Sequence, residues 1–493
     1  MTTQTVLAVD LGAESGRVMA VHVTATAVRG NDTLRVEELH RFPNTPVPVR
    51  GTLHWDFLCL WRDIQAGLTK GLALRPASIG VDTWGVDFAL LDVHGELLGN
   101  PVHYRDRRTE GMMELVLARV GKAQVFEQTG IQFMPINTLY QLMSLVEKQS
   151  PQLKVAHTFL TAPDLINYWL TGTLACEFTN ATTTQLFNPR TGHWATELME
   201  ALDIPRSIFP PIIQPGTPIG AYEGVSVIAP ACHDTGSAVA AVPASAQTPH
   251  YAYISSGTWS LVGLEVTAPI INAAALAANV TNEGGVAGTY RLLKNVMGLW
   301  IIQQCRTTWE ADGQTYTYAE LALLAEAAPL LRSLIDPNDA RFLPSGNHPV
   351  LVQALCAERG QPIPQTPGEI VRCVLDSLAL AYRDVLQTLQ SLTDATCEVI
   401  HIVGGGARNE LLCQLTADAT GVPVVAGPVE ATVLGNALVQ LIARGELANI
   451  AEARQLVAKM GDLQRYEPQD TARWSEAFQR YQQMRSQSTE SLS

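Results

Sequence analysis

Short apolar runs of strand type alternate with helical patterns in both halves of the 493-residue chain. Residues 5–10 and 17–23 have the pattern of two strands around a turn, whereas residues 365–392 have apolar positions at helical spacing. The run 399–403 is again strand-like, and a helical pattern follows it over residues 409–420. Strands that alternate with helices in this way predict an α/β fold.

The composition limits the classes of protein that fit. Hydrophobic residues make up 47% of the chain and charged residues 16%, so the chain has ample material for large cores. The formal net charge is −14 and no run of lysine or arginine occurs, which argues against nucleic acid or an anionic membrane as a partner. The sequence lacks a long apolar segment and a positively charged leader, so we expect a cytoplasmic protein without a transmembrane helix.

The eight cysteines are scattered along the chain, and no two of them form a CxxC pair. This spacing favours neither a zinc site nor a disulfide framework. We therefore expect free thiols that are mostly buried in the cores.

Two stretches share the order of apolar run, small-residue turn and apolar run. They are AVDLGAESGRVMAV at residues 8–21 and YISSGTWSLVGLE at residues 253–265. A tight turn of this composition directs several backbone N–H groups at one point, which suits phosphate oxygens. Ser15, Arg17 and Thr258 add further donors. The alternative is that both are ordinary hairpin turns, selected for backbone geometry alone.

The more common nucleotide-binding motifs are not found. The sequence has no GxxxxGK[ST], so it is not a P-loop protein. Glycines 404–406 follow a strand-like run, but the third glycine of a dinucleotide-binding GxGxxG would fall on Asn409. A glycine turn against which a nucleotide lies stays compatible with this segment.

Several acidic residues are candidates for chemistry. Asp234 follows a strand-like run and fits a carboxylate that deprotonates a hydroxyl during phosphoryl transfer, although it also fits a helix N-cap. Asp10 ends a strand just before the first turn and is a candidate for Mg²⁺ binding through water, or for a simple turn cap. His233 fits a hydrogen-bonded scaffold residue better than a base. Asp82 and Asp87 flank a Trp-Gly pair and are candidates to hold sugar hydroxyls.

With these motifs in view, the chain from about residue 5 to about residue 445 resembles the FGGY carbohydrate kinases, members of the actin/hexokinase/Hsp70 ATPase superfamily. The resemblance is specific because ten stretches occur in the family's order. They are VDLGAESGR, IGVDTWGVDFALLD, YRDRRT, GIQFMPINTLYQL, TNATTTQL, HDTGSAVAAVP, YISSGTWSLVGLE, TNEGGVAGTYRLLKNVMGLW, HIVGGGARNELLCQLTADATG and GPVEATVLGNA.

The resemblance implies an α/β fold with two ribonuclease-H-like domains flanking a cleft, the actin-like ATPase fold. Residues 1–245 are then the N-terminal domain, with the sugar site, the first phosphate turn and the catalytic acid. Residues 246–455 form the nucleotide-binding C-terminal domain, and residues 456–493 a C-terminal helix and tail. A small, polar, proline-containing segment at 242–250 is the candidate linker.

The resemblance also implies the roles of individual residues. Asp234 is the expected proton acceptor, and a carboxylate near the metal is expected at Asp10. The expected sugar contacts are Gly85, His233, Asp234, Thr235 and Asn295. The expected ATP contacts are Ala13, Glu14, Ser15, Gly16, Arg17, Thr258, Gln303 and Gly405.

The implied reaction is transfer of the γ-phosphoryl group of ATP to the 1-hydroxyl of L-rhamnulose, with Mg²⁺ as the metal. The TWGVD and TLYQL stretches favour this sugar, and other ketoses such as L-fuculose, xylulose or ribulose are the alternatives. A non-enzymatic, chaperone-like ATPase of the same superfamily would need no sugar acceptor, so Asp234, Asn295 and Gly85 argue against it. We expect a monomer or small homo-oligomer that binds the sugar and ATP.

Overall fold

The chain is described by a computed structural model that covers residues 2–25, 33–244, 250–461 and 463–490. It divides into two compact units, each assembled from separate stretches of chain. The first unit comprises Met1–Ser245, Glu265–Leu293 and Ala431–Gly461, and the second comprises Ala246–Leu264, Lys294–Glu430 and Asp462–Ser493. Residues 245–249 of the candidate linker lie outside the described residues.

The secondary-structure elements confirm the predicted mixture of strands and helices. Up to residue 244 the strands are β1 (Thr2–Leu11), β2 (Ser15–Ala25), β3 (Thr33–Pro43), β4 (Val47–Val49), β5 (Thr52–His54), β6 (Ser78–Thr83), β7 (Phe88–Leu91), β8 (Thr158–Thr161), β9 (Cys176–Glu177), β10 (Phe187–Asn188), β11 (His193–Trp194), β12 (Ile212–Ile213), β13 (Thr217–Tyr222) and β14 (Val225–Ala229). The helices there are α1 (Phe57–Leu72), α2 (Met112–Val120), α3 (Lys122–Thr129), α4 (Thr138–Glu147), α5 (Pro151–Val155), α6 (Ala162–Thr171), α7 (Phe178–Ala181), α8 (Thr196–Ala201) and α9 (Asp234–Ala240).

The remaining elements follow in chain order. The strands are β15 (Tyr251–Ser256), β16 (Trp259–Val266), β17 (Thr281–Gly284), β18 (Tyr290–Met297), β19 (Val399–Val403), β20 (Val424–Ala426) and β21 (Gln464–Tyr466). The helices are α10 (Ala273–Ala278), α11 (Trp300–Ala311), α12 (Tyr318–Glu326), α13 (His348–Glu358), α14 (Pro367–Thr393), α15 (Glu410–Thr420), α16 (Ala431–Ala443), α17 (Ile450–Ala458) and α18 (Thr471–Glu490).

The first unit is built on a six-stranded sheet in the order β13–β14–β6–β1–β2–β3. Strand β1 pairs antiparallel with β2 and parallel with β6. Its residues 6–9 are fully buried because helices cover both faces of the sheet. Gly71 of helix α1 packs against the side chain of Leu7 in β1. Helix α16 packs against Gly80 of β6, which pairs with Ala8 of β1. Neighbouring residues of a strand point to opposite faces, so α1 and α16 lie on opposite sides of the sheet.

The strands of the second unit are ordered β18–β16–β15–β19–β20–β21, with β15, β19 and β20 parallel to one another. The predicted helix at 365–392 is α14, which begins at a capping box between Thr366 and Glu369. The predicted helix at 409–420 is α15, which ends at Gly421 with a φ of 70°. Both local predictions are confirmed.

The two units do not follow the chain linearly. The chain passes from the first unit to the second near residue 245, where the sequence-based division also placed a boundary, but residues 265–293 and 431–461 return to the first unit. Helix α16 lies in the second of these returning stretches, and its apolar residues are buried against β1, β6 and α9. Without it, β1 would lack its cover on one face.

Two further expectations from composition are tested by the structure. All eight cysteines are free thiols, and six of them are buried while Cys59 and Cys397 are half-buried. Among the described residues, none of the helices has the combined length and apolar character that a membrane span requires.

Gly435 determines how closely α16 approaches α9. A Cβ atom at this position would lie 1.7 Å from the backbone oxygen of Ser237. Alanine is the better helix former by ~1 kcal/mol, but this contact cannot be relieved by a side-chain rotation. We expect Gly435→Ala to lower the free energy of unfolding by about 3 kcal/mol, measured by urea denaturation.

The control is Gly461→Ala, because a Cβ atom at Gly461 meets no atom within 4 Å. This variant should stay within about 0.5 kcal/mol of the parent. Equal unfolding midpoints for both variants would show that the close helix contact is not required.

Candidate active site

The first small-residue turn connects β1 to β2, where Leu11 pairs with Gly16. Asn44, which follows β3, fixes this turn from the side. Its Nδ2 donates to the Gly12 carbonyl at 2.9 Å, and its backbone N–H donates to the Glu14 carbonyl at 3.0 Å. The turn therefore has a defined shape, as a phosphate-binding loop requires.

The predicted ATP contacts of this turn differ in exposure. Ala13, Ser15 and Arg17 are half-buried, Glu14 is exposed, and Gly16 is buried. A Cβ atom at Gly16 would lie 2.2 Å from the Phe42 ring, so glycine is required there for packing.

Two carboxylates lie side by side where β1 and β6 end, since Asp10 pairs with Asp82 in the parallel register. Asp10 forms an ion pair with Arg17 across the hairpin. Asp82 is fully buried, and Asn436 Nδ2 donates to its Oδ2 at 2.6 Å. Burial raises the pKa of Asp82 well above its ordinary value, the negative charge of Asp10 adds to the rise, and the Asn436 hydrogen bond opposes it.

A buried amide network on α16 orients Asn436. Its Oδ1 accepts from Gln440 Nε2 at 2.6 Å, and the same nitrogen donates to the Leu7 carbonyl at 3.0 Å. The Gln440 Oε1 accepts from Ser78 Oγ at 2.7 Å. Our sequence reasoning missed Asn436 and Gln440. The signal was two amides at i and i+4 within an otherwise apolar helix.

Asp234 is the first residue of α9, and His233 holds the N-cap position. The N-cap alternative for Asp234 is therefore wrong. Its Oδ1 accepts from the Thr235 backbone N–H at 2.6 Å and lies 3.3 Å from both Thr235 Oγ1 and His233 Nε2. Burial raises the pKa of Asp234, His233 opposes the rise and the Asp10 charge adds to it. These donors all face Oδ1, and 31% of the side chain remains exposed.

The orientation of His233 is set by a buried ion pair at the β17–β18 hairpin. Arg291 Nη2 lies 3.2 Å from Glu283 Oε2 and 3.0 Å from His233 Nδ1. Glu283 Oε2 also lies 3.3 Å from Nδ1, so the ion pair holds this side of the ring and leaves Nε2 as the nitrogen that faces Asp234. Both ring nitrogens of His233 thus lie close to polar groups of the protein, and its role as a scaffold residue stays a prediction. No local pattern indicated that Arg291 would lie behind it.

The Trp-Gly turn after β6 places Gly85 half-buried and against Thr183. A Cβ atom at Gly85 would lie 3.0 Å from Thr183 Oγ1, so a larger residue would require Thr183 to shift. Asp87 is buried and accepts from the indole nitrogens of Trp55 and Trp84 at 2.6 and 2.9 Å. Burial raises its pKa to about 6. Asp82 and Asp87, our candidates to hold sugar hydroxyls, are both engaged with protein donors.

In the second unit, the turn between β15 and β16 carries Thr258. The segment after β18 binds this turn through its backbone. Leu299 N–H donates to the Gly257 carbonyl at 3.0 Å, and Gly298 and Trp300 N–H groups donate to the Thr258 carbonyl at 3.1 and 3.2 Å. Because α11 begins at Trp300, these bonds fix the helix relative to the turn.

The other predicted nucleotide contacts of the second unit lie on segments that adjoin the β15–β16 turn. Gly404 and Gly406 pack against Ser256, which precedes the turn. A Cβ atom at Gly405, by contrast, meets no atom within 4 Å. On α11, Gln303 Oε1 is buried and has no hydrogen-bond partner among the described residues. An open glycine backbone and an unsatisfied amide oxygen both fit contacts to a nucleotide.

The remaining predicted sugar contacts lie in different places. Thr235 is buried in the first turn of α9, in the first unit. Asn295 is half-buried on β18, in the part of that strand that belongs to the second unit.

The described residues contain no group of three or more His, Cys, Asp or Glu side chains arranged to hold a metal ion. Mg²⁺ at phosphoryl-transfer sites keeps much of its water and binds through one or two carboxylates and the substrate phosphates. The single carboxylate of Asp10, next to the first turn, fits that mode of binding.

The fold and these residues together define an α/β phosphotransferase with a Gly/Ser/Thr turn in each unit and a carboxylate of raised pKa at a helix start. The models of the FGGY family of carbohydrate kinases match residues 5–226 with the N-terminal domain and residues 252–444 with the C-terminal domain. The chain therefore belongs to the FGGY family of carbohydrate kinases, and it is a sugar phosphotransferase.

Individual relatives agree with this assignment. The chain is 45% identical to a rhamnulokinase of Pectobacterium carotovorum, over 98% of this chain and 97% of the relative. It is 44% identical to a rhamnulokinase of Bacteroides thetaiotaomicron, over 96% and 98%.

Solved structures confirm the predicted actin-like ATPase fold. A xylulose kinase from Lactobacillus acidophilus superimposes with a TM-score of 0.77 at 18% identity, covering 98% of each chain. A gluconate kinase from the same organism gives a TM-score of 0.78 at 18% identity, again over 98% of each.

The His233 donor can be tested by a pair of variants. A glutamine nitrogen reaches the position of Nε2, whereas an asparagine nitrogen reaches only that of Nδ1. We expect His233→Asn to lower kcat at saturating substrates at least about tenfold, because a hydrogen bond to a charged group is worth ~1.5–3 kcal/mol. His233→Gln should stay within about threefold of the parent. Equal losses in both variants would refute the Nε2 donor.

Gly405 offers a test of the nucleotide contact with little risk to the fold. We expect Gly405→Ala to leave the thermal midpoint unchanged and to raise KM for ATP about fivefold, equivalent to ~1 kcal/mol. The matched control is Gly346→Ala, where a Cβ atom also meets nothing within 4 Å. Unchanged KM for ATP in both variants would remove Gly405 from the nucleotide contacts.

Proposed function

We propose that this protein transfers the γ-phosphoryl group of ATP to the 1-hydroxyl of L-rhamnulose, giving L-rhamnulose 1-phosphate and ADP. The observation that carries the chemistry is Asp234, whose Oδ1 is held by neighbouring donors while its side chain remains partly exposed. The choice of sugar is supported by the two rhamnulokinases that are 45% and 44% identical over nearly the whole chain.

In the proposed mechanism, Asp234 takes the proton of the sugar hydroxyl as its oxygen attacks the γ-phosphorus in line. A raised pKa makes a carboxylate a stronger base, so the burial of Asp234 favours this role. The His233 N–H holds Oδ1, which leaves Oδ2 to meet the hydroxyl. We assign Gly85, His233, Thr235 and Asn295 to the sugar.

ATP is the co-substrate, and we propose that the small-residue turns hold its phosphates through backbone N–H groups. The residues proposed for this are Ala13, Glu14, Ser15, Gly16, Arg17 and Thr258. Gln303 and the open side of Gly405 are proposed to contact the nucleoside. Mg²⁺, when bound, offsets the charge of the phosphates, and Asp10 is the residue proposed to hold it through water.

A different ketose is the nearest alternative substrate, since residue types do not define stereochemistry. A chaperone-like ATPase is the alternative of a different class. Location in the cytoplasm, the absence of nucleic-acid binding and a monomeric or small homo-oligomeric state stay predictions from the sequence.

The experiment is a panel of ketoses with Mg·ATP, in which ADP release and the phosphorylated product are followed. We expect turnover on L-rhamnulose to exceed that on L-fuculose, xylulose and ribulose, with the phosphate on the 1-oxygen. If another ketose is preferred, the proposed sugar is wrong, but the proposed phosphoryl transfer stands. ATP hydrolysis that is independent of every sugar would favour the chaperone-like alternative.

Asp234→Asn keeps the shape of the side chain and removes the base. We expect kcat to fall by ~10²–10⁴ with a correctly folded protein. Asp312→Asn, at an exposed surface position, is the control and should keep the parent kcat. Parent-like turnover by Asp234→Asn would refute the assigned role.

A further inference from the structure

Val86, in the turn that follows β6, has a left-handed backbone with a φ of 67°. A β-branched side chain crowds the backbone in this region, so the conformation is strained and persists only when the surroundings impose it. Val86 directly follows Gly85, the proposed sugar contact. The groups that impose the conformation therefore influence the sugar site.

One side of the Val86 backbone is held by the TNATTTQL stretch. Val86 N–H donates to Thr183 Oγ1 at 3.0 Å, and Thr183 Oγ1 in turn donates to the Asn180 carbonyl at 2.8 Å. Asn180 Nδ2 also donates to the Trp84 carbonyl at 3.2 Å. This stretch thus binds the turn on both sides of Gly85.

The other side is held by the GIQFMPINTLYQL stretch, at the start of α4. Thr138 Oγ1 donates to the Val86 carbonyl at 2.6 Å, and Gln141 Nε2 approaches the same oxygen at 3.2 Å. Gln141 is fully buried, and its Oε1 accepts from Arg108 Nη2 at 2.6 Å. Arg108 belongs to the YRDRRT stretch, so a third motif fixes the orientation of the amide.

The end of the turn is fixed as well. Gln141 Nε2 lies 3.0 Å from Asp87 Oδ1, whose other oxygen accepts from Trp55 and Trp84. Gln141 therefore contacts the turn at two successive residues. The Gln141 amide and the Asp87 carboxylate together fix the backbone just after Val86.

We propose that Thr183, Thr138 and Gln141 are positioning residues of the sugar site, acting as a clamp on the left-handed Val86 peptide. The clamp holds the Gly85–Val86 backbone in the form that meets the ketose, and loss of one member lets the turn relax away from it. This inference rests on the proposed function only in assigning Gly85 to the sugar. It assigns one shared role, positioning of this turn, to the TNATTTQL, GIQFMPINTLYQL and YRDRRT stretches, none of which provides a reacting group.

The test uses Thr183→Val, which keeps the shape of the side chain and removes the hydroxyl. We expect KM for the ketose to rise about tenfold, since the Val86 N–H loses its acceptor, while KM for ATP changes less than about twofold. Thr183→Ser keeps the hydroxyl and should recover most of the affinity. Sugar affinity is also measured by titrating the intrinsic tryptophan fluorescence, because Trp84 and Trp55 adjoin the turn.

The matched control is Thr184→Val. Thr184 is fully buried like its neighbour, but its hydroxyl contacts only local backbone, donating to the Ala181 carbonyl and accepting from Leu186 N–H. A similar fall in thermal midpoint is expected for both valine variants. The rise in KM for the ketose should appear only in Thr183→Val.

A double-mutant cycle with Val86→Gly tests the strain itself. Glycine adopts positive φ without strain, so the turn has less tendency to relax when the clamp is weakened. We expect Thr183→Val to raise KM about tenfold alone but less than about threefold in the Val86→Gly background.

Parent-like sugar affinity of Thr183→Val, an equal rise in KM for sugar and ATP, or an effect matched by Thr184→Val would each overturn the clamp. These outcomes differ from failure of the proposed function, in which the parent protein phosphorylates no ketose. In that case the fluorescence titration still decides the inference, because it measures sugar binding without turnover.

Discussion

The parallel pairing of β1 with β6 forces Asp10 and Asp82 to lie side by side at the ends of two buried strands. Burial and the neighbouring charge of Asp10 both raise the pKa of the Asp82 carboxyl, so ionisation of the two groups together is unfavourable. Arg17 supports the charge on Asp10, and Asn436 binds the buried Asp82. Groups from the hairpin and from helix α16 therefore both bind this pair of carboxylates, and α9 in turn packs against α16.

In the rest of the first unit, too, the candidate site residues are held in place by side chains from other segments. The proposed substrate contacts of this unit lie on turns or at a helix start that follow strands, and side chains from distant stretches of sequence bind these segments. Arg291 orients His233 from behind, and Asn44 shapes the first turn through its carbonyls. The proposed substrate contacts are few, whereas the residues that bind and orient them are spread over the unit.

Features with a local cause were the ones that the sequence could predict. The apolar runs of β1 and β19, the capping box of α14 and the glycine end of α15 are each specified by neighbouring residues. The resemblance added the candidate contacts, whose roles in this chain stay proposals. The return of α16 to the first sheet, the ion pair behind His233 and the positive φ of Val86 depend on partners far away in sequence. No local pattern records them, and a strained valine is opposed by its own conformational preference.

One face of β1 is covered by residues that are made long after the strand itself. Gln440 bonds to the carbonyl of Leu7, 433 positions earlier. At ~5–20 residues per second, a ribosome takes roughly 20–90 s to make the chain between them. During that interval the face that α16 later covers is open to water and to other nascent chains. The yield of folded protein in a cell should therefore depend on chaperones that shield this face until α16 has been made.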